Sequence, residues 1–121
     1  MATILVVDDS ASLRQVVAIS LQGKGYDVIQ AENGKAALAK CDGTKINLVI
    51  SDVNMPIMDG LPFVTEMKKL PRYKFTPAIM LTTEAGSDMK DRGRAAGVKA
   101  WVVKPFKPAQ MLTAVAKLIL P

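Results

Sequence analysis

Five short runs rich in β-branched and apolar residues recur along the chain: TILVVD at 3–8, YDVIQ at 26–30, NLVISD at 47–52, PAIMLT at 77–82 and VKAWVV at 98–103. Each has the length of a strand, and most are apolar throughout, the pattern of strands covered on both faces. Between them lie segments with helical spacing. The first carries Leu13, Val16, Val17 and Leu21, and the last carries Met111, Leu112, Val115 and Ile119. Residues 35–41 read as helix on alanine propensity, and residues 62–70 on a modest stripe of Val64, Met67 and Leu70. Residues 86–96 give the weakest helix, with Met89 as the one large apolar side chain and Gly93 inside the run, so loose anchoring is expected there.

Strict alternation of strand and helix implies right-handed βαβ crossovers and an α/β fold: a five-stranded parallel sheet, doubly wound, with helices on both faces. A closed barrel needs eight such units and about 250 residues. The 121 residues therefore read as a single domain, 1–121, with no separate output domain expected. The start MATILVVDD lacks the basic opening and small-residue cleavage site of a secretory signal, and no apolar run nears the ~18 residues of a membrane helix. One cysteine, Cys41, cannot close an intrachain disulfide. A cytoplasmic protein is expected, with no membrane partner.

The chain has no histidine, which removes Ser-His-Asp and Cys-His nucleophile pairs, HExxH zinc sites and a self-phosphorylating histidine. Chemistry must run on carboxylates, hydroxyls and amines. A net charge of +5 raises nucleic acid as a partner. The basic residues, however, are scattered, and their densest groups (Lys68, Lys69, Arg72 and Lys74; Lys90, Arg92, Arg94 and Lys99) have no interleaved aromatics on which bases would stack. No nucleic-acid partner is expected.

Ligands of open α/β sheets bind beyond the carboxyl ends of the strands. Here strand one ends in Asp8-Asp9, strand three in Asp52, strand four in Thr82-Thr83 and strand five in Lys104-Pro105, while strand two ends in Gln30-Ala31. Taken singly, each has a structural reading. At least one of Asp8, Asp9 and Ser10 should cap the following helix, Asp52 could open a turn with Asn54 and Pro56, Asp59-Gly60 is a turn on any view, and Lys104 could be a solvated lysine. Together, at one sheet edge, they favour a site. Three neighbouring carboxylates raise one another's pKa unless positive charge lies between them. Lys104 supplies one charge, and the remaining deficit suits a hard divalent cation held as magnesium is, by a few carboxylates and water. An EF-hand fails: in DVNMPIMDGLPF, Pro56, Ile57 and Phe63 stand where a ligand, the glycine and the bidentate Glu belong. GKGY at 23–26 fails as a dinucleotide loop because Val28 replaces its third glycine, and no GxxxxGK[ST] is present.

The ordered set ILVVDD, LVISDVNMPIMDG, IMLTTE and WVVKPF, which runs through the chain, resembles the response-regulator receiver domain in its stand-alone, CheY-like chemotaxis form. The resemblance implies the flavodoxin-like strand order 2-1-3-4-5. It makes Asp52 the phosphoacceptor, with Asp9 holding Mg²⁺ directly, Asp8 through water, and the backbone carbonyl of Asn54 as a further ligand. Thr82 takes the place of the switch hydroxyl, Lys104 that of the lysine paired with the phosphoryl group, and Trp101 that of the switch aromatic. Asn54 and Glu84 match residues that tune dephosphorylation. The Lys104-Pro105 bond is cis in the family. Thr83 stands where a smaller alanine is common.

The implied function is a phosphorylation-activated response regulator of a two-component, chemotaxis-type system. Its phosphoryl donor is a phosphohistidine on a sensor histidine kinase, and it catalyses only its own phosphorylation and dephosphorylation. Output is expected at the face of the fourth helix, fifth strand and fifth helix. Lys90 and Arg94 stand on that face, where docking of a flagellar-motor peptide calls for apolar or small residues. A generic relay intermediate or phosphate sink is the alternative, and a monomer is expected. A Mg²⁺-dependent aspartyl-phosphate phosphatase is disfavoured because neither DDSAS nor DVNMP supplies DxDx[TV].

Overall fold

The computed structural model describes residues 2–53, 55, 57–82, 87–104 and 107–119, and of 87–90 the backbone alone. In chain order the elements are β1 (Thr3–Val7), α1 (Ala11–Gln22), β2 (Asp27–Ala31), α2 (Gly34–Lys40), β3 (Leu48–Asp52), α3 (Gly60–Lys68), a 3-10 turn (Pro71–Tyr73), β4 (Ala78–Thr82), α4 (Ser87–Ala96), β5 (Val98–Val103) and α5 (Pro108–Leu118). The strands form one parallel sheet in the order β2-β1-β3-β4-β5, as the resemblance implied.

Strand parity divides the apolar residues between two layers. Leu5, Val7, Val49, Ala78 and Met80 face α2, α3 and α4, and pack with Phe63, Val64, Met67 and Tyr73. Ile4, Val6, Leu48, Ile50, Ile79, Leu81 and Val102 face the other way, onto Val17 and Leu21 of α1 and Met111 and Val115 of α5. Because both faces are covered, β3 and β4 are buried at every residue, which explains their unbroken apolarity. Each large side chain so buried contributes about 1.5–3 kcal/mol.

Helix ends follow local chemistry. The Ser10 hydroxyl accepts from the Leu13 amide and caps α1, and Asn33 caps α2 through the Ala36 amide. Capping by Ser10 leaves the two preceding aspartates for other work. The expected stripe of α1 needs one correction: Val16 is 49% exposed. Val17 and Leu21 stand one above the other at i, i+4, with Val16 a step round the helix. On the other side of the sheet, α3 opens at Gly60, ahead of the predicted 62. Pro62 lies in the first turn, where its missing N–H costs no helical bond, and Phe63, absent from the expected stripe, is fully buried. Leu70 lies beyond the helix, which Pro71 helps to end.

Gly93 also has a different meaning from the one expected. Among the α4 residues whose burial is described it is the buried one, and there the Trp101 indole lies so close that a Cβ on Gly93 would overlap the ring at Cζ2. The glycine that weakens the helix by propensity is the seat of the tryptophan.

Candidate functional site

The carboxyl edge of the sheet gathers the polar residues that end its strands. The Asp8 amide donates to the Ala31 carbonyl at 3.1 Å, extending the β1–β2 ladder by one residue, so Asp8 is held as rigidly as a strand residue. Its carboxylate accepts from the Ser10 amide at 2.9 Å. Asp52 closes β3, and one of its carboxylate oxygens accepts from the Val53 amide at 2.9 Å. The Lys104 ammonium reaches between these acids, 3.4 Å from Asp8 Oδ2 and 3.2 Å from Asp52 Oδ2. Its backbone amide donates to the Thr82 carbonyl at 2.7 Å, which ties the end of β5 to the end of β4. Lys104 is therefore a half-buried bridging cation, and its reading as a solvated lysine fails.

Asp8, Asp9 and Asp52 each offer a carboxylate oxygen, all within 4.8 Å of one another. Asp8 is buried, Asp52 retains 9% exposure, and Asp9 is exposed. Burial, and then the charge on Asp8, raise the Asp52 carboxyl above its ordinary value, opposed by the Lys104 charge and hydrogen bond and by the Val53 amide. One ammonium among three carboxylates leaves negative charge in excess, and an all-oxygen donor set with one open, exposed side suits a hard divalent cation completed by water. The residues present thus fit a divalent metal.

Thr82 is buried at the end of β4. Trp101 is the β5 register partner of Met80, two residues earlier on β4. By strand parity Thr82 and Trp101 face the same side of the sheet. Asn54, Glu84, Thr83 and the Lys104-Pro105 bond lie outside the described residues, as does the side chain of Lys90; Arg94 is exposed and paired with Asp91 at 3.5 Å.

Two features escaped the sequence reading. The Asp59 carboxylate accepts from the Met55 amide at 3.0 Å and the Gly60 amide donates to the Val53 carbonyl at 2.9 Å, folding the chain back beneath Asp52. A Cβ on Gly60 would overlap the Asp52 carbonyl, so only glycine permits that approach. The second feature is Arg14, whose Nη1 donates to the Asp8 carbonyl at 2.6 Å. Its sequence signal was a cation in the opening turn of a helix, against the macrodipole and with no acid in that turn to offset it.

Compared with known families, residues 4–116 match the response regulator receiver domain. The chain belongs to that family. Chemotaxis protein CheY1 of Helicobacter pylori is 41% identical over 107 residues, which are 87% of this chain and 86% of that protein. Protein PilG of Pseudomonas aeruginosa is 36% identical over 112 residues, covering 93% of this chain and 83% of PilG. The solved structure of chemotaxis protein CheY4 of Vibrio cholerae superposes with a TM-score of 0.95 at 45% identity, covering 98% of this chain and 99% of that one.

Within the family the chain is a CheY-like receiver, related to these chemotaxis proteins, and works in phosphorylation-driven two-component signalling. Its chemistry is confined to gaining and losing its own phosphoryl group, with a sensor kinase as donor and a downstream effector as target. Among the described residues no helix is long and apolar enough to cross a membrane.

Proposed function

We propose that Asp52 is the phosphoacceptor, that Mg²⁺ is held by Asp8, Asp9, Asp52 and the Asn54 carbonyl, and that Thr82 and Trp101 carry the phosphorylated state to the output surface. The observation that carries the reading is the Lys104 ammonium set between Asp52 and Asp8 at 3.2 and 3.4 Å, beside an exposed third carboxylate.

The Asp52 carboxylate attacks phosphorus in line. The phosphorus–nitrogen bond of a phosphohistidine breaks, a phosphorus–oxygen bond to Asp52 forms, and the imidazole leaves with a proton from solvent. Lys104 turns toward the equatorial oxygens and stabilises charge there. When bound, Mg²⁺ neutralises phosphoryl oxygens alongside Lys104 and lets the anionic donor approach three carboxylates. Asp8, fixed by its backbone and side-chain contacts, keeps the acid edge in register, while exposed Asp9 leaves one side open to solvent. A water in line with the acyl phosphate then returns Asp52 to a carboxylate and releases inorganic phosphate, with Asn54 and Glu84 setting the rate.

The phosphoryl group brings about two negative charges and three acceptor oxygens. These draw the Thr82 hydroxyl toward Asp52, and Trp101, on the same face of the neighbouring strand, moves into the room vacated. The surface of α4, β5 and α5 is thereby altered for an effector. The chemotaxis names of several relatives support a chemotaxis-type pathway. A flagellar-motor switch protein as target, a cytoplasmic setting and a monomer belong to the same proposal.

Trp101 is the sole tryptophan, so its emission tests this reading. With Mg²⁺ already added, beryllofluoride is expected to change the emission of wild type, to change that of Thr82→Ala much less, and to leave Asp52→Asn unaltered. An identical response in wild type and Thr82→Ala contradicts the coupling.

A further inference from the structure

We propose that Arg14 is a positioning residue that locks the peptide between Asp8 and Asp9 and so aims the Asp9 carboxylate at the metal. This inference rests on the metal reading above and deepens it. Asp8 is fixed by its amide on Ala31, by Ser10 on its carboxylate and by Lys104. Asp9 has no such help: among the described residues its exposed carboxylate has no hydrogen-bond or ion-pair partner, so its place is set by the backbone alone. Rotation of the Asp8–Asp9 peptide swings the Asp9 side chain.

The group that stops this rotation is the Arg14 guanidinium. Side chains on a helix lean toward its N-terminus, and from the opening turn of α1 Arg14 leans back onto the peptide that links the two acids. Its Nη1 donates to the Asp8 carbonyl at 2.6 Å, a short bond from an ionised donor, and its Nε lies 3.4 Å from Gln30 Oε1 on β2. The guanidinium thus ties the acid loop to two elements, α1 and β2. Its placement is unfavourable for the helix alone, because a cation in the first turn opposes the macrodipole. The grip on the Asp8 carbonyl accounts for its presence there.

Positioning and simple charge balance predict opposite results. If Arg14 acted only as a cation beside three carboxylates, removing it would tighten Mg²⁺ binding. As a positioning residue it does the reverse, because outer-shell partners typically carry about 10–100-fold in metal affinity. The test is calorimetric titration with Mg²⁺ of wild type, Arg14→Met, which keeps the length without donor or charge, and Arg14→Lys, which keeps a donor and the charge. Thermal unfolding without metal fixes the temperature at which all three are folded.

Arg14→Met is expected to bind about tenfold more weakly, and Arg14→Lys to recover part of the loss. Affinity in Arg14→Met equal to or tighter than wild type overturns the positioning role while leaving the metal site standing. Wild type without a saturable response overturns the metal reading and this role with it. Should Arg14→Met not fold, Arg14→Lys decides: a planar fork exchanged for one ammonium still weakens Mg²⁺, and unchanged affinity overturns the proposal.

Discussion

Gly93→Ala separates the local preference of α4 from the packing that the structure imposes on it. In an exposed helix interior the change stabilises by about 0.8–1.0 kcal/mol, and Gly93 is not among the glycines with positive φ, so alanine fits its backbone. The new methyl, however, would stand 2.9 Å from Trp101 Cε2 and 3.0 Å from Cη2, with Cζ2 nearer still. Carbon atoms rest at about 3.5–4.0 Å, so the indole must withdraw or the helix must lift from β5. Overpacking of this kind costs about 1–3 kcal/mol. Set against the propensity gain, the net effect is a loss of about 1 kcal/mol, or roughly 4 °C in Tm. Urea unfolding followed by far-ultraviolet circular dichroism measures the loss, and Trp101 emission reports the displaced ring. In a Trp101→Ala background the same substitution should become stabilising, with a coupling of about 1–3 kcal/mol between the two positions. A full propensity gain in wild type with unaltered emission would refute the reasoning.

Other outcomes follow from the site's geometry and protonation. Asp9→Ala should weaken Mg²⁺ binding more than Asp8→Ala, because the Asp8 carboxylate is occupied by Ser10 and Lys104 while that of Asp9 is free for the metal; titrations giving the reverse order contradict this. Without metal, Asp52→Asn should be more stable than wild type near pH 7. Burial and the Asp8 charge raise the Asp52 carboxyl, so the folded state holds that proton more tightly than the unfolded chain and loses stability as pH rises through the raised value. The advantage of Asn should therefore shrink as pH falls through the raised value and vanish below the ordinary 3.8, whereas a pH-independent difference in denaturation midpoints contradicts the assignment. Cys41, whose thiol is pushed up to about 11 by burial and then by Asp42, should be thiolate in only about one molecule in a thousand at pH 8. Alkylation followed by mass spectrometry should run at least about a hundredfold slower in the native protein than in urea, and equal rates would show an open thiol.

The strands and the carboxyl edge were legible because a parallel sheet states itself twice, in unbroken apolar runs and in the polar residues that end them. Asp8, Asp9, Asp52 and Lys104 are brought together as the strand-end reading required. What was illegible depended on how each element packs against the next. Gly93 reads as a helix defect until Trp101 is seen lying on it, and Gly60 as a turn until the Asp52 carbonyl is found beside its Cα. Arg14 drew no attention in the sequence because its role shows only in the placing of its guanidinium on the Asp8 carbonyl. Val16 misled because apolar identity is not burial: one step round the helix from Val17, it faces outward.

The central claim is that Asp52 takes the phosphoryl group with Mg²⁺ as partner, and intact-mass analysis after incubation with acetyl phosphate tests it most directly. Wild type with Mg²⁺ should gain the mass of one phosphoryl group, with none gained in the presence of chelator. Asp52→Asn, still folded by circular dichroism, should gain none under either condition. The same added phosphoryl group on Asp52→Asn, or on wild type with chelator, would contradict the account.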